Sequence, residues 1–406
     1  MDKVEKIVLV GGGVASASAA HELRRLGYDG RLTLPTRELD SPYHRPPITK
    51  QLLTGQADSS IDYHESSWWI ENDVELLTRS AVMSLDTVAR TATLLNKTVL
   101  EFDKALVATG AMVRRLTIPG AALTGVHYLR TPANAEAVLK DAAGAQSIVL
   151  VGGSFIAVEV AASLANLGHH CTMMMQEAHC FERTFGAAVA AHVESLLRSH
   201  GIDVIGSVDV EEFLGDGHVT GVRTSSGLLI PADLVVVGAG AVPDTKLAVK
   251  AGLAIGTSGG VLCDSRLLTS SPDVFAAGDM CEYDSVIHGR SLRVEHEAHA
   301  IAQGVTAARN MLGKPQDHLE VPYFWTDIAD WATLEYVGPA RTWDEELVTG
   351  SIDDNDFTVW YLENQHLVAA LTCGRPDDLN IARSLIDVRT VRPYGDKKLI
   401  ARDSRQ

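Results

Sequence analysis

Two glycine-rich turns carry the most legible chemistry in the chain. Residues 7–13 read IVLVGGG and residues 148–154 read IVLVGGS. Glycines in such a turn let the backbone bend tightly against a pyrophosphate, whose charge meets the N-terminus of the helix that follows. Laid side by side without a gap, residues 7–27 and 148–168 share 10 identities in 21 positions, among them Ala20/Ala161, Leu23/Leu164, Leu26/Leu167 and Gly27/Gly168. The predicted chemistry is the holding of two dinucleotides. In the first copy Gly11 and Gly13 fill the first two fingerprint positions and Ser16 the third. In the second copy these positions are Gly152, Ser154 and Ala157. Alanine is an accepted third member; Ser154 puts a side chain where a diphosphate should approach. The fingerprint also needs an acid after the second strand, to accept from a ribose hydroxyl. Glu38 is the candidate in the first copy. In the second the strand-end position is Met175, followed by Gln176 and Glu177.

Such turns act only if the right elements hold them. Each copy is a continuous apolar run, then glycines, then an Ala-rich stretch with helical apolar spacing that ends in Gly27 or Gly168. That pattern predicts a buried parallel strand, a turn and a helix. The separation of the copies, 141 residues (148 − 7), is too long for a solenoid and suits two domains of one construction. The length, 406 residues, leaves room for a third.

Composition narrows the partners. A net charge of −17, from 35 basic and 52 acidic residues, argues against general nucleic-acid binding. No apolar run approaches the ~20 residues that span a bilayer, and no secretory leader is visible. Five cysteines (171, 180, 263, 281 and 373), with no Cys-x-x-Cys pair, suit a reducing cytoplasm. They also argue against a zinc site or an iron–sulfur cluster in this chain. His296-Glu297-Ala298-His299 has its histidines three apart, not the four of a zinc protease, so no metal is expected.

The segments around the turns resemble one family. SPYHRPPITKQLL (41–53), LVATG (106–110), VHYLRT (126–131), FIAVEVA (155–161), VFAAGD (274–279), RVEH (293–296) and VPYFWTD (321–327) occur in the order found in the FAD-dependent ferredoxin reductases. These serve oxygenase and P450 electron chains and are related to rubredoxin reductases and apoptosis-inducing factor. The resemblance implies an α/β fold with two Rossmann-like dinucleotide-binding domains, glutathione-reductase-like, plus a C-terminal α+β domain. It divides the chain into an FAD domain (1–112 and 242–318), an inserted NAD(P)H domain (113–241) and a C-terminal domain (319–406).

The resemblance also assigns residues. Gly11, Gly13 and Ala15 would hold the FAD pyrophosphate, Glu38 the adenosine ribose and Val82 the adenine. Arg45, Arg130, Thr109, Gly278 and Asp279 would contact FAD further along, with Glu297 and Trp325 at the flavin. Lys50 and Glu159 would be paired charges beside the ring, the ammonium stabilising negative charge as hydride arrives. Gly152, Ser154, Phe155, Ile156 and Gly238 would hold the nicotinamide nucleotide. Two departures from the family carry consequences. Glu297 replaces an uncharged residue and should disfavour an anionic reduced flavin. Met175 replaces the NADH-selecting acid, so discrimination should be weak, with NADH favoured, NADPH open, and His179 or Arg183 the candidates for a 2′-phosphate.

Residues 39–56 contain no cysteine, so the electrons must leave to an external acceptor. The expected acceptor is a [2Fe–2S] ferredoxin. Rubredoxin, a quinone or a small radical remain open, as does a low-turnover flavoprotein that senses redox state. An acidic reductase needs a local basic patch to steer an acidic partner. Arg290 and Arg293, with Arg309 and Lys314, are the candidates.

Overall fold

The computed structural model describes residues 4–55 and 60–386. Residues 387–406 of the expected C-terminal domain lie outside the described residues.

Strands Lys6–Val10 and Ile148–Val151 form where the apolar runs lie, and each sits in a five-stranded parallel sheet. The first sheet runs in the spatial order 274–276, 104–107, 6–10, 31–35, 74–77. The second runs 203–205, 171–174, 148–151, 234–237, 126–127. Both faces are covered, so neighbours that point to opposite faces, Ile7 and Val8 or Val149 and Leu150, are all essentially inaccessible; this is why the strands read as unbroken apolar runs. Each central strand leads through its glycines into a helix, Val14–Arg25 or Phe155–Asn166, which closes at Gly27 or Gly168 with positive φ.

The first sheet takes its last strand, Val274–Ala276, after the second sheet is complete. The second unit is therefore inserted into the first. An antiparallel ribbon, Ala111–Val113 against Ala241–Pro243, joins them, and the limits expected at 112/113 and 241/242 fall within it. Helix Val14–Arg25 crosses helix Glu297–Met311 at Gly304, where an added Cβ would lie 2.2 Å from the Ala15 carbonyl oxygen. That crossing aims two helix N-termini at one region.

Residues 323–373 form a five-stranded antiparallel sheet, backed by helix Pro376–Ile386. Its apolar face shares one core with the second sheet: Phe324, Tyr336 and Tyr361 pack with Phe155, Phe181 and Phe185. Tyr361 Oη donates to the Phe185 carbonyl at 2.8 Å. This packing carries strand Tyr323–Ile328 onto helix Phe155–Asn166 and brings Thr326 to Glu159.

Candidate active site

Two cavities lie at the two glycine turns. The first, of about 820 Å³, is lined by residues 10–15, Glu38, Arg45, Val82, Thr109, Arg130, Ile156, Glu159, Gly278, Asp279 and Glu297, with others between them. It has the volume of a pocket that takes a large organic ligand. Gly11 is forced by geometry: at φ +118° an added Cβ would lie 2.3 Å from the Ala108 carbonyl oxygen. Gly13 has ordinary φ (−90°) and open space around its missing Cβ. It caps helix Val14–Arg25, whose first turn carries no acid. Free N–H groups there suit a phosphate anion. Ala15 and Val82 also line the cavity.

Two ion pairs line this cavity. Arg45 donates to Glu38 at 2.6 Å, and Tyr43 Oη donates to the same carboxylate at 2.7 Å. Burial alone would raise the Glu38 pKa, but Arg45, Tyr43 and Arg130 hold it below its ordinary value. Arg130 pairs with Asp279 at 3.2 Å. The expected arginines and acids of the first cavity are thus brought together, each cation already oriented by an acid. Thr109 Oγ1 donates to the Asp244 carbonyl at 2.6 Å, and the Gly278 N–H donates to Gln303 at 2.7 Å.

Glu297 does not present a bare charge. Its Oε1 lies 2.7 Å from His44 Nδ1 and its Oε2 accepts from the Arg45 N–H at 2.9 Å. The repulsion expected of this carboxylate is therefore offset by His44. The hydrogen bond to Glu297 raises the His44 pKa, against the effect of burial. A histidine with a raised folded pKa contributes stability below its unfolded value, and that contribution is lost as pH rises through the folded one. His44→Ala should therefore lower Tm more near about pH 6 than near about pH 9; thermal unfolding at the two pH values checks this.

The charges beside the cavity form a triad. Lys50 Nζ lies 3.4 Å from Glu159 and 2.7 Å from Asp327. Thr49 and Thr326 donate to Glu159 at 2.5 and 2.7 Å. Burial pushes the Glu159 carboxyl above its ordinary pKa, although Lys50 and the two threonines pull the other way. Lys50 sits 5.5 Å from the Trp325 ring centre, and Trp325 Nε1 donates to Asp327 at 3.1 Å. Thr49 and Glu159 line the cavity; Lys50 and Trp325 stand behind them and line neither cavity. Sequence reasoning missed Asp327, Thr49 and Thr326. The alternation of strand Tyr323–Ile328 held a signal, since it places Trp325 and Asp327 on one face.

The second cavity, about 550 Å³, is lined by Gly152, Gly153, Ser154, Met175, Glu177, Arg183 and Gly238, among others. Gly152 repeats the geometry of Gly11, with φ +127° and the Gly238 carbonyl oxygen 2.4 Å from an added Cβ. Ser154 takes the place of Gly13 at φ −115°, which serine adopts without strain. Phe155 packs against Phe181, 5.2 Å between ring centres, and does not line this cavity. Ile156 turns into the first cavity, not the second. Met175 lines this cavity while only 2% exposed, with its sulfur against Gly153. His179 pairs with Glu194 at 2.7 Å and lies outside the lining, whereas Arg183 is in it.

All five cysteines are free and buried, and none lines either cavity. Burial pushes the Cys171 and Cys180 thiols up to about 12. Among the described residues no cluster of His, Cys, Asp or Glu could hold a metal ion, and no helix is long and apolar enough to cross a membrane.

Known proteins share this arrangement. Residues 5–304 match the family described as pyridine nucleotide-disulphide oxidoreductase, and residues 323–400 match the reductase C-terminal family. A 5,5′-dehydrodivanillate O-demethylase ferredoxin reductase subunit of Sphingobium sp. is 34% identical over 93% of this chain and 92% of its own. Putidaredoxin reductase of Pseudomonas putida is 30% identical over 96% of this chain and 93% of its own. Among solved structures, the ferredoxin reductase for the CYP199A2 system of Rhodopseudomonas palustris superposes with a TM-score of 0.91 at 29% identity, covering 96% of each chain. The covalent putidaredoxin reductase–putidaredoxin complex gives 0.91 at 30% identity, covering 98% of each chain. With both turns and the C-terminal sheet accounted for, the chain belongs to the pyridine nucleotide-disulphide oxidoreductases, in the branch that carries a reductase C-terminal domain.

Proposed function

We propose that this enzyme takes hydride from NADH onto FAD and passes the electrons singly to a [2Fe–2S] ferredoxin that serves an oxygenase or a P450. FAD occupies the first cavity, held chiefly by the domain of residues 1–112 and 242–318; the nicotinamide nucleotide enters the second, within 113–241; the C-terminal sheet, residues 323–373, backs the shared wall through Thr326 on Glu159 and Asp327 on Lys50. One observation carries this reading. Helix Phe155–Asn166 begins in the second cavity at its cap, Ser154, and its first turns place Ile156 and Glu159 in the wall of the first. Two nucleotides held at the two turns therefore meet over one helix end.

Bound FAD supplies a centre that accepts hydride as a pair of electrons and gives them up one at a time. The chain supplies the rest. Gly13 and the N-terminus of helix Val14–Arg25 take the pyrophosphate, and Glu38 the ribose. Lys50, fixed by Glu159 and Asp327, holds positive charge behind the site where hydride arrives, in a partly dry setting where it acts strongly. With no thiol at either cavity, the electrons leave the chain. The protein should purify yellow, bleach anaerobically on addition of NADH, and reduce cytochrome c only when a [2Fe–2S] ferredoxin is added. Absence of flavin bands after reconstitution with FAD would overturn the assignment. Full activity with rubredoxin and none with ferredoxin would move the acceptor.

The docking surface is narrower than the sequence implies. Arg293 is turned inward: its side chain is 13% exposed, and it donates to the Asp279 carbonyl at 3.0 Å and pairs with Glu295. Arg309 is held by Glu22 at 2.6 Å. Arg290 remains exposed at the hairpin Cys281–Ser285/Arg290–Arg293, bonded to the Pro339 carbonyl at 3.0 Å. Arg290→Glu should lower ferredoxin-dependent cytochrome reduction about tenfold at low salt, and less at high salt, with little change in ferricyanide reduction. Equal loss with both acceptors would place the damage at the flavin.

A further inference from the structure

The second copy places an acid, Glu177, at the position that Glu38 holds in the first. Ile7 and Ile148 are the same position of the repeat. Ile7 pairs with Leu32 across the first sheet, and Ile148 pairs with Cys171 across the second. Leu32 therefore corresponds to Cys171, Thr36 to Met175 and Glu38 to Glu177. Counting from the glycine fails because four residues, Tyr28 to Arg31, separate Gly27 from Leu32, whereas only His169 and His170 separate Gly168 from Cys171.

Three sets of contacts fix this register independently. The Gly11 N–H donates to the Pro35 carbonyl at 3.0 Å, and the Gly152 N–H to the Met174 carbonyl at 2.8 Å. A Cβ on Gly12 would meet Thr36 at 2.3 Å, and one on Gly153 would meet Met175 at 2.6 Å. The Glu38 carbonyl accepts from Arg79 N–H at 2.9 Å, and the Glu177 carbonyl from Ser207 N–H at 2.8 Å; Arg79 and Ser207 share a left-handed backbone, φ 53° and 57°. Each acid also has an arginine: Arg45 at 2.6 Å from Glu38, and Arg183 at 3.3 Å from Glu177.

The side chains around Glu177 leave it the task. Gln176 is bonded to Asp209, and His179 to Glu194. Glu177 and Arg183 both line the second cavity, with the Arg183 side chain 80% exposed. Glu182 lines it too, but stands beyond the part of the second copy that this register matches to the first.

We propose that Glu177 accepts the hydrogen bond of the adenosine 2′-hydroxyl of NADH, and that Arg183 sets how far a 2′-phosphate is tolerated. This rests on the reading that the second cavity takes the nicotinamide nucleotide. Glu177 repels a 2′-phosphate and Arg183 attracts it, so their balance fixes the ratio of the two affinities.

The test is the affinity of the oxidised holoenzyme for NAD⁺ and NADP⁺, by calorimetry, alongside kcat/KM for flavin reduction by NADH and NADPH. Glu177→Gln should weaken NAD⁺ about tenfold, as loss of a charge-assisted hydrogen bond does, and shift the ratio toward NADP⁺. Arg183→Ala should shift the ratio the other way. Ratios within about twofold of wild type in both variants would overturn the proposal, as would an equal shift from Glu182→Gln, which would show a general charge effect. If wild type binds neither nucleotide, the assignment of the cavity fails first, and that outcome is distinct from unchanged ratios.

Discussion

Gly11→Ala should yield protein without flavin, while Gly13→Ala yields folded protein that binds FAD weakly. The two glycines are two residues apart and do different jobs. Gly11 sits at φ +118°, and its missing Cβ would lie 2.3 Å from the Ala108 carbonyl oxygen and 2.8 Å from its carbonyl carbon. Both contacts are backbone of the segment that follows the neighbouring strand Lys104–Val107, so no side chain can swing aside. The N–H of Gly11 is also committed to the Pro35 carbonyl at 3.0 Å. A left-handed non-glycine residue alone costs on the order of 1–3 kcal/mol. The clash adds to that by prising apart the centre of the first sheet. A loss of about 3 kcal/mol or more is a large share of the total stability of a domain. Gly13→Ala meets nothing within 4 Å and keeps an ordinary φ of −90°. Its methyl instead enters the space beside the helix N-terminus. Thermal unfolding and flavin content separate the two effects: Gly11→Ala loses both, Gly13→Ala keeps the apoprotein Tm and loses affinity. A Gly11→Ala protein with wild-type Tm and full flavin would show that the turn can relax, and would remove the steric account of both copies.

The parts of the site that were legible in the sequence are local. A strand, a glycine turn and a helix form one continuous segment, so Gly11, Gly13, Gly152 and Ser154 announce themselves by spacing. Lys50 and Glu159 were reached through resemblance, and the structure puts them 3.4 Å apart. What stayed hidden depends on distant segments meeting. Asp327 reaches Lys50 across 277 residues of sequence, and His44 reaches Glu297 across 253. Nothing in either segment alone specifies that contact; it follows from the C-terminal sheet docking on helix Phe155–Asn166 and from the crossing at Gly304.

Two further points have a different cause. The connector before strand Cys171–Met174 is two residues shorter than its counterpart in the first copy, so Glu177 matches Glu38 by strand pairing and not by distance from the glycine. Pairing, not spacing, fixes where a side chain points. Arg293 stands in a short run with Arg290, which by spacing alone suggests a surface cation. Its guanidinium turns back to the Asp279 carbonyl, so it supports the turn after Val274–Ala276 instead of facing a partner.

Lys50→Met should slow flavin reduction by NADH about a hundredfold or more, the size of effect seen when one preorganised charge is removed from a developing anion. The ammonium has two carboxylates within reach, Asp327 at 2.7 Å and Glu159 at 3.4 Å. Its side chain is 11% exposed and that of Glu159 9%, so water screens the group poorly and its charge is felt across the cavity wall. Methionine keeps the bulk and removes the charge. Glu159 is then left buried with only Thr49 and Thr326 as donors, and its already raised pKa must climb further, because Lys50 is what pulls it down. A carboxyl whose folded pKa lies above its unfolded value contributes stability below the unfolded value and loses it as pH rises through the folded one. The variant should therefore lose more stability near about pH 8 than near about pH 5, unlike a variant that merely packs badly. Adding Glu159→Gln to Lys50→Met should remove that pH dependence without restoring the rate, since one threonine can donate to the amide oxygen and the other accept from its NH2, but the positive charge is gone. Anaerobic rapid mixing gives the rate and thermal unfolding gives the pH dependence. If Lys50→Met reduces its flavin as fast as wild type, the triad is a structural ion pair and hydride arrives elsewhere. If the rate falls but the double variant recovers it, the harm came from the stranded Glu159 carboxylate and not from the missing ammonium.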